Sequence, residues 1–174
     1  MPLAQAYAAL AAFLLLAGAL VLRASPLLAD FRRSRPATVG LALLATAWFG
    51  WWLLHLPDPD LAGLPRYPVA AFFVVCCLAT FVYMPDLLSV RALGVLMMFL
   101  ARHVLDAGFG HLPDSLLAAS VSYGVLVFFG GWWAASPPAF VRLCDWILAE
   151  SARRRAAGAG LMALGLACAA SALA

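Results

Sequence analysis

The residues best equipped for chemistry are two arginines and three histidines. Arg91 and Arg102 stand eleven positions apart in a largely apolar stretch. Eleven positions make three helical turns, so a helix places both on one face. Gly94, Val95 and Met98 fall between them on that face, and Asp106 continues it one turn beyond Arg102. Ten residues separate the two arginines, which is about 15 Å of helix, half of a hydrocarbon core. At least one guanidinium must therefore enter the membrane, snorkel, or face other helices. An arginine at the bilayer centre costs at least about 2.5–3.5 kcal/mol. In one reading both snorkel to opposite headgroup layers, and Asp106 pairs with Arg102 at i,i+4. In the other they line a path or pocket for an anion or a lipid headgroup. The lack of a mid-span acid to neutralise Arg91 favours the second.

His55, His103 and His111 fall close to Asp58, Asp60, Asp106 and Asp114 in sequence. A His/Asp cluster at one membrane face can bind a divalent metal, here through His55, His103, His111 and Asp106. His55 and His103, on different helices, can also ligate a haem from two sides. The plainer reading is polar caps at helix ends. No H-x-x-x-H or C-x-x-C-H accompanies them, and no other cofactor is expected. Cys76, Cys77, Cys144 and Cys168 form no C-x-x-C. They read as small packing residues, with a redox role for the vicinal pair as the alternative. There is no G-x-S-x-G, H-E-x-x-H, Walker loop or paired glutamate, and Glu150 is the only glutamate. Few groups remain that could converge as acid, base or nucleophile, so no catalytic residue is assigned.

The composition says what must position these residues. Of 174 residues, 66% are hydrophobic and 11% charged, against about 45–50% and about 25% in soluble domains. Soluble, disordered and fibrous classes are excluded, and an all-α integral membrane protein is expected. Six apolar segments can be drawn, at 3–22, 37–56, 67–84, 87–105, 116–135 and 156–174. Each approaches the length of a membrane-crossing helix, and alternating barrel patterning is absent. The third is short and the sixth weakly apolar. Met1-Pro2 supplies no positive n-region before residues 3–22, and the stretch exceeds a signal-peptide core, so it reads as a retained span. Pro57-Asp58, Pro85-Asp86 and Pro113-Asp114 mark turns, with aspartate placed to complement a helix dipole. Their equal spacing reads as shared turn chemistry, not duplication.

All eleven basic residues are arginine. Arg23, Arg32, Arg33, Arg35, Arg91, Arg142, Arg153, Arg154 and Arg155 fall at odd-numbered loops, and only Arg66 and Arg102 at even ones. The positive-inside rule then places odd loops in the cytoplasm and both termini outside. Arginines that follow span ends do not make a nucleic-acid face. Trp48, Trp51, Trp52, Trp132, Trp133 and Trp146 read as interfacial belts.

In the fifth loop, residues 138–150 place Phe140, Leu143, Cys144, Ile147 and Leu148 opposite Arg142, Asp145 and Glu150. This predicts a cytoplasmic interfacial helix, with partner docking as the alternative. Arg153, Arg154 and Arg155 should contact anionic lipid. Ala159, Ala163, Ala167 and Ser171 form a small-residue ridge, suited to packing inside the bundle or against another subunit.

Arg155, Gly158, Met162 and Gly165 read R-x-x-G-x-x-x-M-x-x-G, preceded by an amphipathic arginine-bearing helix and another span. Over about the last 50 residues the chain thus resembles small two-helix bacterial inner-membrane proteins of unknown function. The resemblance implies a bacterial inner-membrane setting and no activity. The expected architecture is a six-helix transmembrane bundle in a single domain with one interfacial helix. Three functions fit it: a non-catalytic accessory or assembly subunit, with membrane lipids, other subunits or a second copy as partners; a small anion or lipid transporter or channel using Arg91 and Arg102; and a haem- or metal-binding redox subunit.

Overall fold

The computed structural model describes residues 2–24, 28, 31, 34–61, 63–83 and 87–173. Arg32, Arg33, the Pro85-Asp86 turn and the last residue of the sixth segment lie outside the described residues. Helices dominate those described, and no strand occurs among them. The long helices are α1 (Leu3–Leu22), α2 (Arg35–Leu54), α3 (Arg66–Tyr83), α4 (Leu88–Gly108), α5 (Leu116–Ala135) and α7 (Ser151–Leu173). The shorter α6 (Pro137–Leu148) lies between α5 and α7. By length and composition, five of them can cross a membrane: α1, α2, α4, α5 and α7. The helix α3 is 18 residues long, and its apolar stretch Arg66–Thr80 is shorter than the other five among the described residues.

Local chemistry sets the helix starts. Ser34 caps α2, its Oγ accepting from the Ala37 N–H at 3.3 Å, and Pro36 occupies the first turn, where its missing N–H costs nothing. Arg66 opens α3 by donating to the Leu54 and Leu56 carbonyls at 3.3 and 2.9 Å. It thereby satisfies the orphaned C-terminal end of α2 and ties the two helices. The α7 helix begins before the sixth apolar segment, because Arg153, Arg154 and Arg155 are good helix formers that a hydropathy reading does not register.

The helix α4 is central. It packs on α1, α2 and α5, while α7 packs chiefly on α1 and α3 on α2. The main core lies among α1, α4, α5 and α7, around Tyr7, Leu10, Leu14, Met97, Val104 and Leu126. A smaller core joins α2 to α4 through Ala42, Ala45, Leu88, Ala92 and Leu96. Two glycine crossings draw helices together. A Cβ on Gly94 would sit 2.5 Å from the Gly130 carbonyl oxygen, and one on Gly165 would sit 2.9 Å from Leu15 Cγ. Tyr7, buried on α1, donates its hydroxyl to the Asp114 carbonyl and accepts from the Ala118 N–H at 3.3 Å. It thereby caps the first turn of α5 from another helix. Within α5, residues Ser122–Val127 widen into a π-helical segment.

The motif residues of the last helix face α1. A Cβ on Gly18 would meet Met162 Cγ at 2.9 Å, and one on Gly158 would meet Leu22 Cγ at 2.5 Å. The ridge Ala159, Ala163 and Ala167 points away and is exposed, and Ser171 donates to the Ala167 carbonyl at 3.1 Å. Within this chain α7 therefore packs by its glycine face, which permits closer approach than the alanine ridge.

Candidate functional site

Three helices frame a cavity of about 290 Å³. From α2 come Ala42, Ala45, Thr46 and Phe49; α4 contributes Arg91, Val95 and Phe99; α3 closes one side with Cys77 and Thr80. The small residues on α2 leave the space, and the large ones bound it. Toward the histidine-bearing end, Phe99 stacks on Trp48 at 5.8 Å and meets Phe49 at 5.9 Å, forming an aromatic floor. The polar groups of the wall are turned inward: Thr80 donates to the Cys77 carbonyl, and Thr46 lies in hydrogen-bonding reach of the Cys77 thiol.

Among the described residues, Arg91 is the charged residue of this lining. It is half-buried and donates from Nη1 to the Ala134 carbonyl at 2.9 Å. That carbonyl lies in the last turn of α5, where a cation complements the helix dipole. A guanidinium has five N–H donors, so one structural bond leaves donors for an oxyanion. Among the described residues no carboxylate pairs with Arg91.

The structure separates Arg91 from Arg102. Arg102 lies three turns away, pairs with Asp106 at 3.6 Å and stacks 4.7 Å over the Trp52 ring. It does not line the cavity. The residues between them also divide: Val95 lines the cavity, but Gly94 faces Gly130 on α5, and Met98 lies beside the same glycine. The face expected from helical spacing is thus two faces, because α4 is wedged between α2 and α5.

The three histidines each hold a backbone carbonyl. Among the described residues no three His, Cys, Asp or Glu side chains come together in a way that could hold a metal ion. His55, His103, His111 and Asp106 form no such group among the described residues. Each histidine instead places Nδ1 on a backbone carbonyl, at Trp51 (2.7 Å), Phe99 (2.9 Å) and Phe109 (3.0 Å). A carbonyl only accepts, so Nδ1 carries the proton in each. His103 also sits edge-on to Trp48 at 5.2 Å.

At the opposite end, α6 buries Pro137, Ala139 and Phe140 and exposes Arg142, Asp145 and Trp146. The Phe140 ring packs on Trp133 at 4.8 Å and on Phe31 at 5.6 Å, and Ser89 donates to the Phe31 carbonyl at 3.2 Å. Arg153 binds Glu150 at 2.8 Å and stacks 4.8 Å over Trp146. Arg155 donates to the Ser151 carbonyl and hydroxyl at 3.3 and 3.4 Å, and the Arg154 Nε is buried without a partner. Burial, and then the charge of Asp145, push the Cys144 thiol up to about 11, which keeps it protonated and unreactive at neutral pH.

Sequence reasoning singled out Arg91 but missed Thr46, Cys77 and the Phe49–Phe99 floor. Nothing in one helix's pattern signals a gap between three. Tyr7 was also missed, although a tyrosine in an apolar span must find a partner for its hydroxyl. Comparison of the chain with protein-family models, curated proteins and solved structures found no match.

Proposed function

We propose that this chain is a non-catalytic membrane protein that binds or transports an anionic amphiphile, held in the cavity between α2, α3 and α4. The observation that carries the reading is one guanidinium at the edge of a largely apolar cavity whose lining, among the described residues, holds no other charge. An oxyanion on Arg91 gains charge-assisted hydrogen bonds in a low-dielectric setting, while a hydrocarbon tail fills space that water disfavours. In this reading α3 completes a six-span bundle, and α6 lies in the cytoplasmic headgroup plane with Arg153, Arg154 and Arg155 against anionic lipid. Both termini are outside, and the setting is a bacterial inner membrane. The arginine-rich end then faces the cytoplasm, which puts Arg91 at the level of inner-leaflet headgroups.

The test is mass spectrometry of lipids retained after mild-detergent purification. Wild type and Arg102→Gln should retain an anionic lipid that Arg91→Gln loses. Identical lipid content in all three removes the reading.

A second reading, an accessory subunit or homo-oligomer, draws on the exposed Ala159, Ala163 and Ala167 ridge. Ala163→Leu should then reduce the mass of the detergent-solubilised particle. A monomer in both forms excludes self-association.

A further inference from the structure

The shape of the cavity narrows the ligand class, on the premise that the site binds an anionic amphiphile. We infer that it admits one hydrocarbon chain, so that its ligand is an oxyanion drawn from the bilayer with a single alkyl chain lodged in the cavity. Three observations lead there.

The first is volume. A cavity of about 290 Å³ holds about ten groups of water or methylene size. The paired tails of a phospholipid need several times that. The second is depth. The lining of the cavity along α4 runs from Leu88 to Phe99, and a head held at Arg91 stands eight residues, about 12 Å, from Phe99. One leaflet is about 15 Å deep, and the Trp48–Phe49–Phe99 cluster stops the tail before the midplane is passed. The third is the direction of the mouth. Among the described residues α2 packs on both α3 and α4, but α4 is not among the helices on which α3 packs. The three form a V with the cavity in its angle, and the side without a wall faces hydrocarbon. A ligand dissolved in the membrane reaches it directly, whereas a free ion would first have to cross the apolar phase. Arg91, fixed through Ala134 at the arginine-rich end, then meets the anionic head while the tail lies along Val95.

The experiment displaces a photoreactive decyl phosphate from the purified chain in lipid nanodiscs, using hexyl, octyl, decyl, dodecyl and hexadecyl phosphates. Compared at equal mole fraction in the nanodisc bilayer, affinity should rise with chain length as each added methylene packs on the cavity wall, and flatten near decyl. Inorganic phosphate should not displace, which separates a membrane-borne head from a free anion. The photolabel, placed at the chain terminus, should map beside Phe49 and Phe99. A rise continuing unbroken to hexadecyl, displacement by inorganic phosphate, or labels on α1 or α7 would each overturn the inference. Arg91→Gln reports on the premise. If it loses all binding while the rise still runs to hexadecyl, the amphiphile reading stands and the single-chain inference falls. If it binds every phosphate as wild type does, both fall. Val95→Phe shortens the cavity without touching the arginine and should move the plateau to shorter chains. An unmoved plateau in a folded variant also counts against the inference.

Discussion

The two sides of α4 are built on opposite principles. Toward α5 the backbones nearly touch: Gly94 and Gly130 face each other so closely that neither tolerates a Cβ without a shift. Toward α2 and α3 the same helix borders a cavity, and α3 exposes Tyr67, Phe72, Phe73 and Val75 on its outer surface. In a bilayer both arrangements are stable for different reasons. Helix association there draws on van der Waals packing and not on exclusion from water. The close side is held by its own contacts, and the loose side depends on what fills it.

Gly94→Leu should separate the two sides of α4 most strongly. Its Cβ would meet the Gly130 carbonyl oxygen at 2.5 Å and the Ala134 nitrogen at 2.9 Å, both backbone atoms that cannot rotate away. A loss of about 3 kcal/mol or more is expected, read as a lowered melting temperature in detergent. Gly160→Leu, where nothing lies within 4 Å, should melt like wild type.

Next in size is Tyr7→Phe. It strands the Ala118 N–H and the Asp114 carbonyl at the start of α5. About 1–3 kcal/mol should be lost, with lipid retention unchanged. Faster amide exchange over residues 116–121 would locate the loss. The loose side should respond with the opposite sign. Ala45→Leu adds bulk to a space that already exists, so stability should hold or rise by about 1 kcal/mol while lipid retention falls. A large destabilisation would show that this side is as tightly built as the other. The smallest effect belongs to Arg102→Gln. Its ion pair with Asp106 is solvent-facing, with the two side chains 47% and 71% exposed. A loss below about 1 kcal/mol is expected, measured by the same melting curves.

The sequence pattern anticipates what depends on one helix at a time. Residues 3–22 and 116–135 match α1 and α5 end to end, and 138–150 overlies α6 within two residues at each end. These boundaries follow from hydrophobic length and proline placement. What depends on two or three helices was not legible. Arg91 was recognised as unexplained, but the gap beside it arises from how α2, α3 and α4 are set together. The alanine ridge of α7 has the right spacing, yet the adjacent glycine face wins within the chain because it allows a shorter interaxial distance. Among the described residues the histidines share an end of the bundle but form no group of three metal-ligating side chains, since proximity along the sequence fixes depth but not azimuth.

The π-helical stretch at Ser122–Val127 has a consequence for how α5 tolerates change. It stands between two fixed points, the Tyr7 cap at Ala118 and the glycine crossing at Gly130. A π-turn carries one residue more than the α-turn it replaces. Removing Gly124, which faces open space, would let the stretch relax to ordinary helix and keep both fixed points in phase. Removing one residue on either side of the stretch would turn one of them by about 100° relative to the other. The segment is the place where this helix can gain or lose a residue without its two ends learning of it.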